Sequence, residues 1–284
     1  MPQRFDSYFA RVEGNEAERC HYPTRLDTYG CGCAHNCGYC YARALLDFRG
    51  LWNPVAPACA PPRDIRNTIA RKLRPGEVVR LGGMTDCFQP IERGKRNTRR
   101  TIEWLNQRRV HYLIVTKSNL IAEYTDVLDK GLAHIQVSVT STDAAISRRI
   151  EPGAPEPEAR IAALEHLAAA GYDAAVRLSP FVPEWQDLDR INAIACDKAI
   201  VEFLRVNTWI RRWLENLHAG VDLSRHTLHH GGYDHLPLNA KQTILAGITG
   251  FAQTSVCEDV PAHWEYWRDH FNPNPDDCCN LKFK

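Results

Sequence analysis

Apolar positions along the chain follow two rhythms. Short β-rich runs stand at 77–81 (EVVRL), 111–116 (HYLIVT), 133–140 (AHIQVSVT), 174–178 (AAVRL) and 199–206 (AIVEFLRV), with a brief one at 25–28 (RLDT). Helical spacing fills the intervals, at 97–109, 121–129, 142–149, 156–170, 188–197 and 209–218; Ile102 and Leu105 share one face of the first. Strands alternating with helices predict an α/β fold with a parallel sheet. About six such units predict an open, partial (β/α)6-type barrel over 25–219, with functional loops at the C-terminal ends of its strands. Residues 1–24 form an N-terminal extension. After 220 the texture changes. His226, His229, His230 and His235 gather around Gly231 and Gly232, then come a helix-like 241–246, an aromatic-rich 251–267 and an Asn/Pro/Asp tail. Residues 220–284 read as a C-terminal extension that covers the active site or helps to bind substrate.

Composition narrows the class. The 284 residues carry a net charge of +1, with 44 % hydrophobic and 24 % charged residues, as in an ordinary globular chain. No apolar run approaches about 18 residues, so no membrane span is expected. The first 20 residues lack the apolar segment of a secretory signal, so the cytoplasm is the expected setting. The 11 cysteines are the unusual count. An odd number in a long chain without a signal points to metal or redox chemistry rather than a disulfide scaffold.

Five cysteines crowd the first 40 residues, and Cys33, Cys37 and Cys40 make C-x3-C-x2-C inside TYGCGCAHNCGYCY (28–41). Three thiolates on one glycine-rich loop can hold three corners of an iron–sulfur cube, leaving one iron open to a small molecule. Structural zinc is the competing reading. Only Cys37 and Cys40 have zinc-knuckle spacing, and His35 stands awkwardly between two ligands. Cys257, Cys278 and Cys279 offer material for an auxiliary cluster, but they form no compact motif, and the adjacent pair is poorly disposed for one cube.

The Cys string, with an aromatic before its last Cys, resembles the radical S-adenosylmethionine (SAM) superfamily, and within it the spore photoproduct lyase branch. Matching stretches follow in that branch's order: LGGMTD (81–86), IVTK (114–117), QVSVT (136–140), IEPG (150–153), Arg160 with Ile161, and AGY (170–172) leading into VRLSP (176–180). The resemblance spans about residues 25–185. It implies a 4Fe–4S cluster on Cys33, Cys37 and Cys40, with SAM bound to the open iron through its amino and carboxylate groups. One electron, from a donor such as flavodoxin or ferredoxin, then cleaves SAM to a 5′-deoxyadenosyl radical that takes hydrogen from substrate.

Site residues follow. Gly82 and Gly83 end a strand where missing side chains let backbone carbonyls approach SAM, with Thr85 beside them. Lys117 is placed for the SAM carboxylate, and Arg177 for SAM or a substrate phosphate. Ser138 aligns with a SAM-contacting serine of the lyase. Tyr39 and Tyr41 match tyrosines of which one lies near SAM and one serves radical relay. The catalytic candidates are Tyr41, Asp86 and Cys87. The lyase's hydrogen-donating cysteine falls at Gly83 here, which leaves Cys87, four residues on, as the candidate donor.

Charge is uneven. Arg93, Lys95, Arg96, Arg99 and Arg100 open a basic stretch that suits a phosphate backbone. The seven tryptophans offer stacking surfaces. The leading expectation is a radical SAM enzyme acting on a nucleobase in DNA, thymine or thymine-derived, for repair-like, modification or isomerisation chemistry. A base in duplex DNA would have to flip to reach a sealed site. RNA, a peptide or a free small molecule are alternatives, and a non-catalytic metal-binding protein is the remote one.

Overall fold

The computed structural model describes Phe5 and residues 7–12 and 19–283; the rest of the expected N-terminal extension 1–24, and Lys284, lie outside the described residues. Twelve short strands are found there: β1 Phe9–Arg11, β2 Thr24–Leu26, β3 Tyr29–Gly30, β4 Ala58–Cys59, β5 Val78–Leu81, β6 His111–Thr116, β7 Ala133–Ser138, β8 Asp173–Phe181, β9 Lys198–Phe203, β10 Leu228–His230, β11 Tyr233–His235 and β12 Gln253–Val256. Eight form one sheet in the order β1-β2-β5-β6-β7-β8-β9-β12. β1 is antiparallel to β2, and every later pairing in the sheet is parallel. The fold is the expected partial barrel. Residues 220–284 add β12 to the same sheet beside β9.

The strands are buried on both faces, as parallel strands between helices must be. All six residues of β7 are buried. Ala133, Ile135 and Val137 pack in the hydrophobic core with Ile161, Leu164 and Leu167 of the helix Pro157–Ala169. The alternate residues Gln136 and Ser138 face the interior, where they line a cavity. The barrel interior is therefore polar, and each inward group needs a partner.

Helices close the outside. Pro62–Lys72 buries Ile65 and Ile69, and Asn97–Arg108 buries Ile102 and Leu105. The first carries basic residues that sequence alone marks only as charge; Pro62 at its first turn is the start signal. The helix expected at 121–129 is a 3-10 turn at Asn119–Tyr124. Leu120, Ile121 and Tyr124 are buried there, and the Tyr124 hydroxyl donates to Glu92 at 2.7 Å, which holds the segment in tight turns. The helix expected at 188–197 stops at Asn192, whose side chain instead accepts from the amides of Thr249 and Gly250. The histidine-rich stretch is a hairpin, β10 on β11.

Two buried groups hold the frame. Glu92 accepts from Tyr29 and Tyr124 and from the Thr98 and Arg99 amides at 2.9 and 3.0 Å, so it caps the helix Asn97–Arg108 from within the core. At the N-terminal ends of the strands, His111 meets His134 at 3.2 Å, His134 meets Asp173 at 2.6 Å, and Lys198 pairs with Asp173. The C-terminal tail closes that end: Lys198 Nζ donates to Asn280 O at 2.7 Å, and Phe283 lies against both histidine rings. Glu92→Ala should lose about 2–4 kcal/mol of unfolding free energy, because it orphans four buried donors at once. Urea denaturation followed by circular dichroism measures it, and an unchanged midpoint would contradict the capping role.

Candidate active site

The Cys loop runs from β3 to the helix Tyr41–Leu46, across the C-terminal end of the strands. Cys33, Cys37 and Cys40 carry free thiols and line one cavity. Four contacts fix the loop. The Ala34 amide donates to Gln89 Oε1 at 2.9 Å, and Gly38 N donates to Ile150 O at 2.8 Å. Gly153 N donates to His35 O at 3.2 Å, and His35 Nδ1 lies 3.3 Å from Asp86 Oδ2. Gly153 has to be glycine, since a Cβ there would stand 1.8 Å from the Ala34 carbonyl oxygen. Cys40 Sγ accepts from Arg43 N at 3.5 Å and so caps the helix.

Burial raises all three thiols, Cys33 to about 12. At neutral pH they keep their protons until a metal displaces them. His35 Nε2 and Gln136 Nε2 are buried without a hydrogen-bond partner, and both residues line the cavity. The donor set fits a thiolate-bound cluster with a polar ligand beside it.

Beneath the loop lies a buried charge network. Glu151 pairs with Arg160 at 2.5 Å and with Lys117 Nζ at 3.8 Å, and accepts from the Tyr39 hydroxyl, which also meets Thr140 Oγ1 at 3.1 Å. Burial alone would raise the Glu151 carboxyl; Arg160, then Lys117, hold it down at about 2.

Most expected residues converge. Tyr39, Tyr41, Gly82, Gly83, Thr85, Asp86, Lys117, Ser138 and Arg177 all line the cavity. Gly82 turns the chain after β5 with φ +83°, and Asp27 Oδ1 accepts the amides of Gly83, Met84 and Thr85 at 2.8, 2.9 and 3.3 Å. The Gly83 carbonyl accepts from Tyr41, which leaves it one further lone pair. Asp86 accepts from Thr116 Oγ1, Phe88 N and Lys117 N, besides its contact with His35, so both oxygens are engaged in holding β6 to the loop. Burial would raise its carboxyl, but His35 and the amides lower it.

Two expectations end elsewhere. Cys87 is fully buried in the hydrophobic core and does not line the cavity. Asp86 turns inward, and its neighbour points the other way. The basic stretch lies on the outside: Arg93 and Arg99 make two hydrogen bonds each to Glu123 and Asp126, and Arg100 donates to Lys95 O at 2.8 Å. Arg93, Lys95, Arg96, Arg99 and Arg100 do not line the cavity.

The interior residues Arg25, Arg80, Gln136, Glu202 and Arg205 escape the motif search yet line the cavity. Arg177 donates to Gln136 Oε1 at 2.8 Å and pairs with Glu202 at 2.5 Å. Their signal was a polar residue at every second place in otherwise apolar runs: Arg80 in β5, Gln136 and Ser138 in β7, Arg177 and Ser179 in β8.

The family model of the radical SAM superfamily matches residues 28–195, more than half of the chain, with Cys33, Cys37 and Cys40 among them. The chain belongs to the radical SAM superfamily. The cofactors of this family are a 4Fe–4S cluster and SAM. An uncharacterized protein of Methanocaldococcus jannaschii is 28 % identical to this chain over 163 residues, covering 56 % of this chain and 61 % of that one. An uncharacterized protein of Mycobacterium tuberculosis is 28 % identical over 210 residues, covering 66 % and 62 %. The chain thus spans about three fifths of the length of these curated relatives. Spore photoproduct lyase complexed with dinucleoside spore photoproduct superposes with a TM-score of 0.64 at 17 % identity, over 89 % of this chain and 80 % of that one. A variant of that lyase with bound SAM and the same dinucleoside gives 0.64 at 16 %, with equal coverage. At such identities the likeness is one of fold. Among the described residues no helix is long and apolar enough to cross a membrane.

Glu151→Gln leaves Arg160 and Lys117 without their carboxylate. We expect a loss of about 3–5 kcal/mol near neutral pH. The carboxyl is depressed in the folded state, so its contribution is whole above about 4.5 and fades as pH falls through about 2. Thermal unfolding across that range should show the variant and parent converging in acid, and a pH-independent gap would contradict the assignment.

Proposed function

We propose that this radical SAM enzyme abstracts hydrogen from a nucleobase, with thymine or a thymine derivative in DNA as the substrate, for repair-like, modification or isomerisation chemistry. One observation carries the reading: the Cys loop and an arginine-rich wall line the same cavity. Six cationic side chains, including Arg25, Arg80, Arg177 and Arg205, face four acidic ones there. Arg80 Nε is buried without a partner. Such a wall suits a ligand with phosphate and base acceptors. The fold likeness to a lyase holding a dinucleoside supports the same substrate class.

Bound here, the cluster and SAM supply one-electron cleavage of the sulfonium and a hydrogen-abstracting radical. The chain's own residues position and shield. Cys33, Cys37 and Cys40 hold the cluster. Lys117 keeps donor capacity beyond Glu151 and the Ser179 carbonyl (3.3 Å) for the SAM carboxylate. Gly82, Thr85, Ser138 and Tyr39 border the SAM position. Asp86 acts through His35 and β6 as a positioning residue. Tyr41, packed under the Arg205 guanidinium at 5.2 Å, stands at the substrate side. Gly83 stands where the lyase carries its hydrogen donor, and the Arg25 side chain fills the space a side chain there would take, its Cδ 2.6 Å from where a Cβ would stand, so the substrate radical meets a different fate from that in spore photoproduct repair.

A free anionic small molecule is the second reading. The pairing of Arg93 and Arg99 with Glu123 and Asp126 favours it, because the outer helix then has less charge to offer a backbone. Binding of a thymine-rich oligonucleotide across a salt series decides between them. The DNA reading predicts that log K falls with log salt by about 0.7–0.9 per phosphate contact. Absence of binding at low salt, with nucleotide monomers still bound, would overturn it.

A further inference from the structure

The open barrel has two edges, β1 and β2 on one side and β12 on the other. Side chains draw them together. Arg19 Nη1 donates to Asp259 O at 3.4 Å, and the Tyr22 hydroxyl donates to Asp277 Oδ2 at 2.7 Å. Four thiols meet at this seam: Cys20 just ahead of β2, Cys257 directly after β12, and Cys278 and Cys279 in the tail. All four are free and line the cavity that the Cys loop also lines. Cys20, Cys278 and Cys279 pack in one small cluster with Tyr22 and Leu113, and Cys257 shares their cavity wall. We propose that Cys20, Cys257, Cys278 and Cys279 ligate a second iron–sulfur cluster at the lateral seam of the barrel.

The backbone around these thiols is built in advance of any metal. Asp277 accepts from Cys279 N at 2.8 Å and Leu281 N at 2.9 Å, besides Tyr22. Asn280 takes the left-handed conformation at φ +47°, which turns the chain sharply after the Cys pair. Its side chain donates to Ser255 Oγ at 3.1 Å, and Ser255 Oγ donates to Cys278 O at 2.7 Å. Cys257 N donates to Val201 O at 2.8 Å and extends the β9–β12 ladder. A surface tail with incidental cysteines would not be tied down so completely. The buried Arg177 guanidinium interacts with Cys257 and Cys279, a cation where thiolate charge would gather.

Four thiolates select zinc or iron–sulfur centres. A single zinc holds each sulfur at about 2.3 Å, which places the sulfurs about 3.8 Å apart. Among the described residues no three of these thiols lie within 4.8 Å of one another. They are not gathered for one tetrahedral ion, and ligands that sit on different irons of a polynuclear cluster need not be. Adjacent Cys278 and Cys279 then need not share a metal, which removes the objection their adjacency raises in the sequence. Cys20, more than 200 residues away in the chain, is the ligand that no local motif could reveal.

Anaerobic reconstitution with iron and sulfide tests the proposal, and it does not depend on the substrate. The full chain should take up about six to eight irons rather than the about four of one cluster. The triple variant Cys33→Ala/Cys37→Ala/Cys40→Ala should keep about two to four irons with sulfide-to-iron absorption and a Mössbauer signature of its own. Adding Cys20→Ala and Cys257→Ala should remove them. An iron-free triple variant, or zinc retained there in place of iron, would overturn the proposal. If the triple variant does not fold, the parent count decides: about four irons per chain refutes a second cluster.

Discussion

Glu151 is the group on which the site depends. It is a carboxylate without solvent, and it survives as one because Arg160 and Lys117 face it from different elements. Each partner ties down something else. Arg160 belongs to the helix Pro157–Ala169 and reaches Ser138 O at 3.4 Å. Lys117 follows β6, whose last turn is fixed by Asp86. Tyr39 comes from the Cys loop itself. Ile150 and Gly153, on either side of Glu151, both hydrogen-bond to that loop. One buried charge thus registers the loop, two strands and a helix. The loop glycines allow many shapes, and this network selects one.

The same logic runs through the barrel. A sheet covered on its outer face by helices and curled round an interior must fill it, and this chain fills it largely with paired polar groups. At the N-terminal ends the set is His111, His134, Asp173 and Lys198, sealed by the tail. In the middle it is Gln136, Arg177 and Glu202. Among the residues lining the cavity, His35 Nε2, Arg80 Nε and Gln136 Nε2 are left unpartnered. A polar cofactor and substrate bound there would supply those partners.

Much of this was legible in the sequence. The run at 111–116 is β6 to the residue, because six β-rich positions between a polar turn and a lysine allow no other reading. The Cys spacing marks the loop, and the inward residues of β7 and β8 follow from period two. What stayed hidden was non-local. Cys87 was drawn towards the chemistry by its distance along the chain, but the Phe88 amide turns back onto Asp86 and sends the thiol into the core. In the basic stretch, Arg93 and Arg99 pair with Glu123 and Asp126 of a separate turn, a neutralisation that spacing along the chain does not report. β12 lay inside an aromatic-rich stretch where its four residues, QTSV, carry little apolar signal. Contacts between distant segments leave no period behind, so spacing cannot report them.

The account stands on hydrogen leaving a nucleobase inside this cavity. The most direct measurement is isotopic: anaerobic reaction of the reduced, reconstituted enzyme with SAM and DNA carrying deuterated thymidine, followed by mass analysis of the 5′-deoxyadenosine formed. Deuterium in that product, lost together with the product itself in Cys40→Ala, is the predicted result. Unlabelled 5′-deoxyadenosine beside unchanged DNA would contradict the substrate, and no 5′-deoxyadenosine at all would contradict the chemistry.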